Sequence, residues 1–457
     1  MTILSNAIFK AYDIRGIVGK NLNTDIAHQI GLAIGSEAIT RGLSDLVIGR
    51  DGRLSGLELS EALTAGLRAV GINVIDIGRV ATPMVYFAAH TLGTFSGVMI
   101  TGSHNPADYN GFKIMLGGDT LAGEDIQELY QRIKLKNFTQ GQGTYRTHSV
   151  TEAYLQRITD EISLIRPMNI IVDCGNGVAG DYAPVLFRRL GCRVRELFCD
   201  VDGHFPNHHP DPAKPENLHD IMDALSKTDA ELGLAFDGDG DRLGIVTKEG
   251  TIIWPDRQLM LLAADVLERH PNAKVIYDVK STRLLAPWIR ENNGEPIMCR
   301  TGHSFIKAKI KETGALIAGE MSGHIFFKER WYGFDDGLYA GARLLEILSR
   351  TDDPSALLNA LPNALSTPEL SLKTEEGENH RLIAQLQTNA KFIGAENVIC
   401  IDGLRVEYAD GFGLMRASNT TPIIVLRFEA DNETALTRIQ NDFRHALSCV
   451  THAELPF

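Results

Sequence analysis

The sequence predicts an α/β protein of several domains, on the strength of a repeated pattern and its spacing. An apolar run, a polar turn, an amphipathic helix, a glycine and a second apolar run follow one another, and this pattern begins at residues 46, 170 and 275. Apolar strands that alternate with helices are typical of parallel or mixed sheets covered by helices. The starts lie more than 100 residues apart, which is the spacing of domains and too long for a solenoid repeat. Three α/β domains in tandem are therefore expected.

Each unit has two predicted strands with one helix between them. In the first unit Leu59, Leu63 and Leu67 recur every four residues, as on one face of a helix, and Gly71 follows that helix. The predicted strands cover 46–48 and 72–77, then 170–172 and 192–198, then 275–277 and a segment that ends at 298. The helices of the second and third units are predicted to end at 190 and 291.

The C-terminal part has a different pattern. Short strands are predicted at 404–408, 412–416 and 423–428, and an amphipathic helix follows at 433–450. Strands clustered before one helix indicate a smaller α+β domain. Polar or proline-bearing stretches give domain boundaries, and the predicted domains are 1–146, 147–250, 251–362 and 363–457.

The charge balance excludes several classes of partner. The 457 residues include 45 Lys and Arg against 58 Asp and Glu, a formal net charge of −13. Such a chain repels nucleic acid and anionic membranes, so we expect neither as a partner, and an anionic ligand requires a local cluster of cations. The six cysteines show no paired spacing, and neither a secretory signal nor a membrane-spanning stretch is evident. A cytoplasmic protein with free thiols is expected.

The first chemical motif is the acidic loop, residues 237–242, in which Asp237, Asp239 and Asp241 alternate with glycines and precede Arg242. Three carboxylates so close together repel one another unless a cation lies between them, and hard oxygen ligands suit Mg²⁺. An EF-hand is excluded because Arg242 occupies the position that requires glycine. A solvated acidic turn is the simpler alternative.

The second motif is the serine loop, residues 101–106, directly after a predicted strand at 97–100. Ser103 would lie at the carboxyl end of a strand, where α/β folds bind their ligands. A hydrolase elbow is excluded because neither flanking glycine is present, whereas an ordinary turn before Pro106 remains an alternative. Lys113, ten residues further on, could supply a cation.

Two further loops carry polar side chains. Glu320, Ser322 and His324 lie within five residues and could bind sugar hydroxyls, and His324 could move protons near neutral pH. The distal loop, residues 416–422, is basic and rich in hydroxyls, as expected of a phosphate-binding loop. Each loop alone is more simply an ordinary turn, but together the four loops indicate one shared cleft.

These motifs, together with Tyr12 to Gly16, resemble the α-D-phosphohexomutase superfamily, and most closely its bacterial phosphomannomutase/phosphoglucomutase branch. The resemblance spans the chain in order. It implies a phosphohexomutase-like architecture of four domains around a central cleft, in which the three α/β domains have mixed sheets.

The resemblance also implies roles for individual residues. Ser103 would carry a phosphoryl group and bind Mg²⁺ together with Asp237, Asp239 and Asp241. The other catalytic residues would be Arg15, His104, Lys113, Arg242 and His324. The substrate-binding residues would be Tyr12, Lys280, His303, Glu320, Ser322, Arg416, Ser418, Asn419 and Thr420.

The implied reaction is the reversible interconversion of hexose 6-phosphate and hexose 1-phosphate, with mannose, glucose or both as the sugar. It would proceed through the phosphoserine and a hexose 1,6-bisphosphate, which also acts as an activator. The substrates are small phosphosugars, and a monomer or weak dimer is expected. The alternatives are a phosphoglucosamine mutase, a phosphosugar phosphatase with Asp237 as nucleophile, and a non-catalytic binding protein.

Overall fold

The structure, a computed structural model, describes residues 4–419 and 421–457. Four β-sheets follow one another along the described chain, and helices pack against each of them. The first three sheets contain both parallel and antiparallel pairs, whereas the fourth is antiparallel throughout. The predicted architecture of three mixed α/β units and a C-terminal α+β unit is confirmed. The predicted domain boundaries stay predictions.

The first sheet has the strand order β1-β5-β4-β2-β3-β7, with β6 paired to β5. Its strands are β1 (Ile14–Ile17), β2 (Asp45–Arg50), β3 (Asn73–Arg79), β4 (Gly97–Ile100), β5 (Tyr109–Leu116), β6 (Asp119–Thr120) and β7 (Tyr145–Thr147). Its helices are α1 (Thr24–Thr40), α2 (Gly56–Ala69), α3 (Thr82–Thr91) and α4 (Glu124–Lys134), after a 3₁₀-helix at Asn6–Ile8. The backbones of helices α1 and α2 are in direct contact at Gly66. A Cβ atom there would lie only 2.2 Å from the His28 carbonyl oxygen, so only glycine allows this approach.

The second sheet has the order β12-β11-β10-β8-β9. Its strands are β8 (Asn169–Asp173), β9 (Arg193–Leu197), β10 (Leu232–Phe236), β11 (Leu243–Thr247) and β12 (Ile252–Ile253). The associated helices are α5 (Thr151–Thr159), α6 (Ala183–Arg189) and α7 (His219–Ser226), with 3₁₀-helices at Val178–Asp181 and Pro215–Leu218.

The third sheet has the order β14-β13-β15-β16. Its strands are β13 (Lys274–Asp278), β14 (Glu295–Cys299), β15 (Ile317–Gly319) and β16 (Ile325–Phe327). Its helices are α8 (Pro255–Arg269), α9 (Leu285–Glu291), α10 (His303–Thr313), α11 (Gly337–Leu348) and α12 (Pro354–Asn359). One apolar core joins the first three units and includes Val47 of β2, Leu234 of β10 and Ile317 of β15.

The fourth sheet has the order β17-β22-β21-β20-β19, with β18 also on β22. Its strands are β17 (Leu365–Ser366), β18 (Leu370–Lys373), β19 (Asn397–Ile399), β20 (Leu404–Tyr408), β21 (Gly411–Ala417) and β22 (Ile423–Ala430). Helices α13 (Glu378–Asn389) and α14 (Glu433–Ser448) cover one face of it. The predicted C-terminal helix thus ends two residues early, at Ser448.

Two further expectations concern the cysteines and the possibility of a membrane-spanning helix. All six cysteines are free thiols, four of them buried, as the spacing predicts. Within residues 4–419 and 421–457, no helix combines the length and apolarity needed to cross a membrane.

Candidate active site

The acidic loop connects β10 to β11, and its residues 237–241 are buried. The side chains of Asp237, Asp239 and Asp241 have no exposed surface, and their ligand atoms lie within 4.8 Å of one another. Two glycines allow this convergence: Gly240 has φ of +74°, and a Cβ atom at Gly238 would lie 2.4 Å from the Ser103 carbonyl oxygen. The loop is therefore packed directly against the serine loop.

Buried carboxylates at this density need compensating positive charge. Burial and the two neighbouring aspartates raise the pKa of Asp237 well above its usual value. Lys113 donates from Nζ to Asp239 Oδ2 at 2.7 Å and also to Asp241, and it lowers the pKa of both carboxyls against the effect of burial. Oδ1 of Asp239 accepts no hydrogen bond from any described residue. Three converging carboxylates with a free oxygen fit a hard divalent cation.

Ser103 lies at the end of β4, opposite the acidic loop. Its backbone is left-handed, with φ of +48°, and its Oγ lies 3.1 Å from Asp237 Oδ2 and 3.2 Å from His104 Nδ1. Burial and the nearby Arg242 and Arg15 hold the pKa of His104 well below its usual value, so this imidazole is neutral. The predicted nucleophile and the predicted metal ligands are thus in direct contact.

Arg53 and Asp51 hold the serine loop in place through hydrogen bonds, and sequence reasoning missed both. The fully buried Arg53 guanidinium donates to four carbonyl oxygens, those of Ser103, Asn105, Pro106 and Tyr109, at 2.5 to 2.9 Å. Asp51 accepts from the Thr101 hydroxyl at 2.7 Å and from the Gly102 N–H at 3.3 Å. From the sequence, the polar turn after the strand at 46–48 is expected only to connect that strand to a helix. Its proximity to the serine loop arises because β2 and β4 are neighbours.

Two predicted arginines also lie at this end of the cleft. Arg15 of β1 is bonded to Asp13 and to the side chain of Asn105 in the serine loop. Arg242 lies 3.8 Å from Asp237 and 3.3 Å from His324 Nε2. Together with Lys113 they place three cations around Ser103 and the acidic loop.

Glu320, Ser322 and His324 form the turn between β15 and β16. His324 Nδ1 lies 3.1 Å from Glu320 Oε2 and 3.0 Å from Ser322 Oγ, while Nε2 lies 3.2 Å from Asp241 Oδ1. Burial opposes a charge on this ring, but Asp241 and Glu320 raise the pKa of His324 to about 9. At neutral pH the imidazole is therefore a cation that links this turn to the acidic loop.

Tyr12 connects the first and third units across the cleft. Its ring meets the ring of His303, the first residue of α10, edge-on at a centroid distance of 5.2 Å. Burial and Asp13 raise the pKa of the Tyr12 hydroxyl, while Arg15 and Arg416 oppose this increase. Residues of three units are thus within electrostatic reach of one tyrosine.

The distal loop follows β21 in the fourth sheet. Arg416 donates from Nε to Asp402 at 3.0 Å, and the Ser418 and Thr421 hydroxyls lie 3.0 Å apart. Lys280, after β13, binds Glu369 at 2.9 Å and interacts electrostatically with Arg416. Asn419 lies half-buried in the same loop, and Thr420, predicted as a phosphate ligand, lies outside the described residues. Arg416, Ser418 and Asn419 therefore lie together in the distal loop, within electrostatic reach of Lys280.

Comparison with family models matches the chain in four consecutive pieces. They are described as phosphoglucomutase/phosphomannomutase alpha/beta/alpha domain I over residues 6–140, domain II over 152–250, domain III over 254–365 and the C-terminal domain over 369–446. The chain belongs to the phosphoglucomutase/phosphomannomutase family. The resemblance inferred from the sequence is confirmed, and the protein is an enzyme of an isomerase family.

Members of the phosphoglucomutase/phosphomannomutase family resemble the chain over its whole length. A phosphoglucomutase of Neisseria gonorrhoeae is 61% identical over 459 residues, covering 100% of both chains. A phosphomannomutase/phosphoglucomutase of Pseudomonas aeruginosa is 54% identical and covers 98% of this chain and 96% of its own. The crystal structure of a family protein from Burkholderia thailandensis superposes with a TM-score of 0.95 at 59% identity, covering 100% of both chains.

Proposed function

We propose that this enzyme interconverts hexose 6-phosphates and hexose 1-phosphates of glucose, mannose or both, through a phosphoserine at Ser103 and a hexose 1,6-bisphosphate. The observation that carries the proposal is the contact between Ser103 Oγ and Asp237 Oδ2, at 3.1 Å, with three cations around it. Phosphoryl transfer depends on positioning and on neutralising charge, and this arrangement supplies both.

Asp237, Asp239 and Asp241, together with the phosphorylated Ser103, would hold Mg²⁺. Hard carboxylate oxygens and the uncompensated Asp239 Oδ1 support this choice of cation. When bound, Mg²⁺ neutralises charge on the phosphoryl oxygens and fixes their orientation.

The chain's own side chains would complete the transfer site. Lys113, Arg242 and Arg15 stabilise the negative charge that is shared between serine, phosphoryl group and sugar oxygen. Neutral His104, at 3.2 Å from Ser103 Oγ, can hydrogen-bond the oxygen that leaves or attacks without adding a charge. Burial of this site keeps out water, which would otherwise hydrolyse the phosphoserine.

The second phosphate of the bisphosphate would bind at the distal loop. Arg416 is the permanently charged donor there, and Ser418, Asn419 and Thr420 would supply hydroxyl and amide groups, with Lys280 and Tyr12 nearby. Each phosphate must occupy this place in one half-reaction and reach Ser103 in the other. The bisphosphate therefore has to turn end for end in the cleft, where it acts as intermediate and, if released, as activator.

The sugar would lie between these two ends, beside Glu320, Ser322 and His303. If Glu320 and Ser322 bind only O3 and O4, glucose and mannose look alike to them, because the two sugars differ at C2. Dual specificity follows. A phosphoglucosamine mutase is not favoured, since relatives at 53 to 63% identity are named phosphoglucomutase or phosphomannomutase/phosphoglucomutase.

A phosphatase with Asp237 as nucleophile is disfavoured by the geometry. Asp237 Oδ2 faces the serine hydroxyl, and Oδ1 accepts two backbone N–H groups, from Asp241 and Arg242. One oxygen of Asp237 is thus bonded to Ser103 and the other to the backbone of the acidic loop. We further propose that the enzyme acts on small phosphosugars as a monomer or weak dimer, without nucleic-acid or membrane partners.

The test combines phosphopeptide mapping with kinetics. The peptide that contains Ser103 should carry one phosphoryl group. If that group is first labelled with radioactive hexose 1,6-bisphosphate, unlabelled hexose 1-phosphate should carry the label away into hexose phosphate while the serine stays phosphorylated. An adduct on the Asp237 peptide that hydroxylamine releases would instead support a phosphatase. Rates with the 1-phosphates of mannose, glucose and glucosamine then rank the sugars, and a preference for glucosamine would contradict the assignment.

A further inference from the structure

A loop of the second unit lies against the serine loop of the first unit. This connecting loop, residues 198–214, follows β9 and contains three prolines, whose rings fix φ. A Cβ atom at Gly203 would lie 2.8 Å from the Gly52 carbonyl oxygen, and the Phe205 ring covers the Arg53 guanidinium at 5.1 Å. The connecting loop is therefore a restricted segment in close contact with the residues that hold the serine loop.

Three consecutive carbonyl groups of the serine loop are held by side chains from two units. Arg53, from the first unit, donates to the carbonyl oxygens of Ser103 at 2.7 Å and of Asn105 at 2.6 Å. The carbonyl oxygen of His104, which lies between them in the chain, is hydrogen-bonded to Nε2 of His209 in the connecting loop. His209 is thus the partner of the one carbonyl of the three that Arg53 does not bind.

The His209 ring donates this hydrogen bond as a neutral imidazole. A carbonyl oxygen can only accept, so Nε2 of His209 must carry a proton. Burial lowers the pKa of His209, although the bond to His104 and the nearby Asp211 oppose this shift, so the ring is uncharged at neutral pH. The single N–H of the neutral ring is therefore on Nε2 and points at the serine loop.

The residues that follow His209 contact the acidic loop. A Cβ atom at Gly238 would lie 3.5 Å from Cγ of Pro210, and the Asp211 carboxylate lies 3.8 Å from Nη1 of Arg242. Pro210 and Asp211 are both buried. One short piece of the connecting loop thus contacts the serine loop on one side and the acidic loop on the other.

We propose that His209 is a positioning residue for phosphoryl transfer, because it fixes the peptide group next to Ser103 from the second unit. This inference rests on the proposed function. Ser103 Oγ lies 3.2 Å from His104 Nδ1 and 3.1 Å from Asp237 Oδ2, so a rotation of the His104 peptide group changes both distances. Small displacements of reacting groups are costly in rate. The distal loop is not affected, so loss of the His209 bond should lower kcat more than it raises KM.

Two substitutions of similar shape separate the hydrogen bond from the packing of the ring. Glutamine at position 209 can place an amide N–H where histidine has Nε2, whereas glutamate presents only acceptor oxygens to the His104 carbonyl. His204→Glu is the matched control, because His204 lies in the same loop but is exposed and its ring pairs with Asp202 on the surface.

Two measurements on the full-length protein read out the effect. Steady-state kinetics with glucose 1-phosphate give kcat and KM. Hydrogen exchange followed by mass spectrometry reports how often the serine loop opens, because four of its backbone N–H groups are hydrogen-bonded in the folded state. They belong to Thr101, Gly102, Ser103 and Asn105.

His209→Glu should lower kcat by at least about tenfold with less than about a threefold change in KM, and the serine loop should exchange faster. His209→Gln should keep kcat within about threefold of the wild type, because the donor is restored. Exchange in His209→Gln and in the control His204→Glu should match the wild type. Equal losses in His209→Gln and His209→Glu would overturn the proposal, as would normal kcat and exchange in His209→Glu.

His209→Leu removes the donor without adding a charge, so it replaces His209→Glu in the comparison with His209→Gln if the glutamate variant does not fold. Hydrogen exchange requires no turnover. A wild-type protein that does not convert hexose phosphates would therefore refute the proposed function, whereas the exchange rates of the variants would still decide whether His209 orders the serine loop.

Discussion

Arg53 donates a hydrogen bond from Nη2 to the carbonyl oxygen of Ser103 at 2.7 Å, so a residue fifty positions away in the chain fixes the backbone of the proposed nucleophile. The same guanidinium holds three further carbonyls of the loop, and the Phe205 ring of the second unit covers it at 5.1 Å. The orientation of Ser103 therefore depends on one buried side chain and on contact between two units.

We expect Arg53→Lys to lower kcat by about a hundredfold with a much smaller change in KM. Lysine keeps the charge but cannot present a planar fork to four carbonyls, and small misplacements of a reacting group can cost about that much. Steady-state kinetics with glucose 1-phosphate measure both constants. The control is Arg79→Lys, an exposed arginine paired with Asp181, which should keep the wild-type kcat. A variant of Arg53 with normal kcat and reduced thermal stability would show a purely structural role.

Asp239→Asn should weaken Mg²⁺ binding and reduce turnover by at least about tenfold while the fold persists. The amide keeps an oxygen for the Thr82 hydroxyl, which lies 2.5 Å from Asp239 Oδ2, but it removes one of three ligand charges. Activity of EDTA-treated protein as a function of added Mg²⁺ gives the apparent affinity. Asp181→Asn, on the surface, is the matched control. Full activity of Asp239→Asn without added metal would disprove the magnesium assignment.

Arg416→Ala should lower kcat/KM by about ten- to a hundredfold, since charge-assisted hydrogen bonds to phosphate contribute roughly 1.5–3 kcal/mol. The loss should be equal for glucose and mannose 1-phosphates, because the phosphate is common to both. Weaker retention should also make turnover depend more on added glucose 1,6-bisphosphate.

Arg438→Ala is the matched control for Arg416→Ala, because Arg438 is an exposed arginine of the same unit that binds Asp410 on the surface. Arg438→Ala should leave kcat/KM for both sugar phosphates and the dependence on added glucose 1,6-bisphosphate unchanged. If Arg416→Ala behaved like this control, the distal loop would not bind phosphate.

The pH dependence of stability should change in Asp336→Asn. Burial raises the pKa of Asp336 from 3.8 to about 7, although its carboxylate accepts from the Tyr339 N–H and the Tyr154 hydroxyl. The folded state thus holds a proton that the unfolded state releases, so this group favours folding at low pH and loses that contribution as the pH rises from about 4 to 7.

Asparagine at position 336 is neutral at every pH, and its side-chain oxygen can still accept the hydrogen bond from the Tyr339 N–H in the first turn of α11. The unfolding free energy of Asp336→Asn, measured relative to the wild type, should therefore increase as the pH rises from 4 to 8. At roughly 1.4 kcal/mol per pKa unit, the increase should be at most about 4 kcal/mol. Urea denaturation at several pH values measures this difference. A difference that does not vary with pH would show that Asp336 ionises normally.

The sequence predicts those elements whose hydrophobic pattern is local. The strands at β2, β8 and β13 are apolar runs bounded by polar turns, and each was found. Helix α11 was not predicted. Every residue in it except Glu346 is buried, because it packs against β11, β16 and α8, so its sequence lacks the exposed polar face that marks a surface helix. Its Arg343 is fully buried and paired with Glu329 and Asp265, partners that are 14 and 78 residues away.

In the candidate site, too, residues marked by a local sequence pattern were predicted and residues that act through long-range contacts were not. Ser103, the three aspartates and the turn at 320–324 come directly after strands, and the carboxyl ends of strands are where α/β sheets bind ligands. Arg53 and Asp51 were missed because they act on the serine loop, Arg53 through four backbone carbonyls and Asp51 through the Thr101 hydroxyl and the Gly102 N–H. Residue type alone shows neither relationship.

The left-handed backbone of Ser103 restricts which hydroxyl amino acid this enzyme can use. At φ of +48° a β-branched side chain crowds its own carbonyl groups, and such conformations cost of order 1–3 kcal/mol even for ordinary residues. Threonine, with the same hydroxyl and nearly the same acidity, would have to straighten this turn and withdraw its oxygen from Asp237. The backbone conformation at position 103 thus favours serine over threonine as the proposed phosphoryl carrier, independently of the chemistry of the hydroxyl.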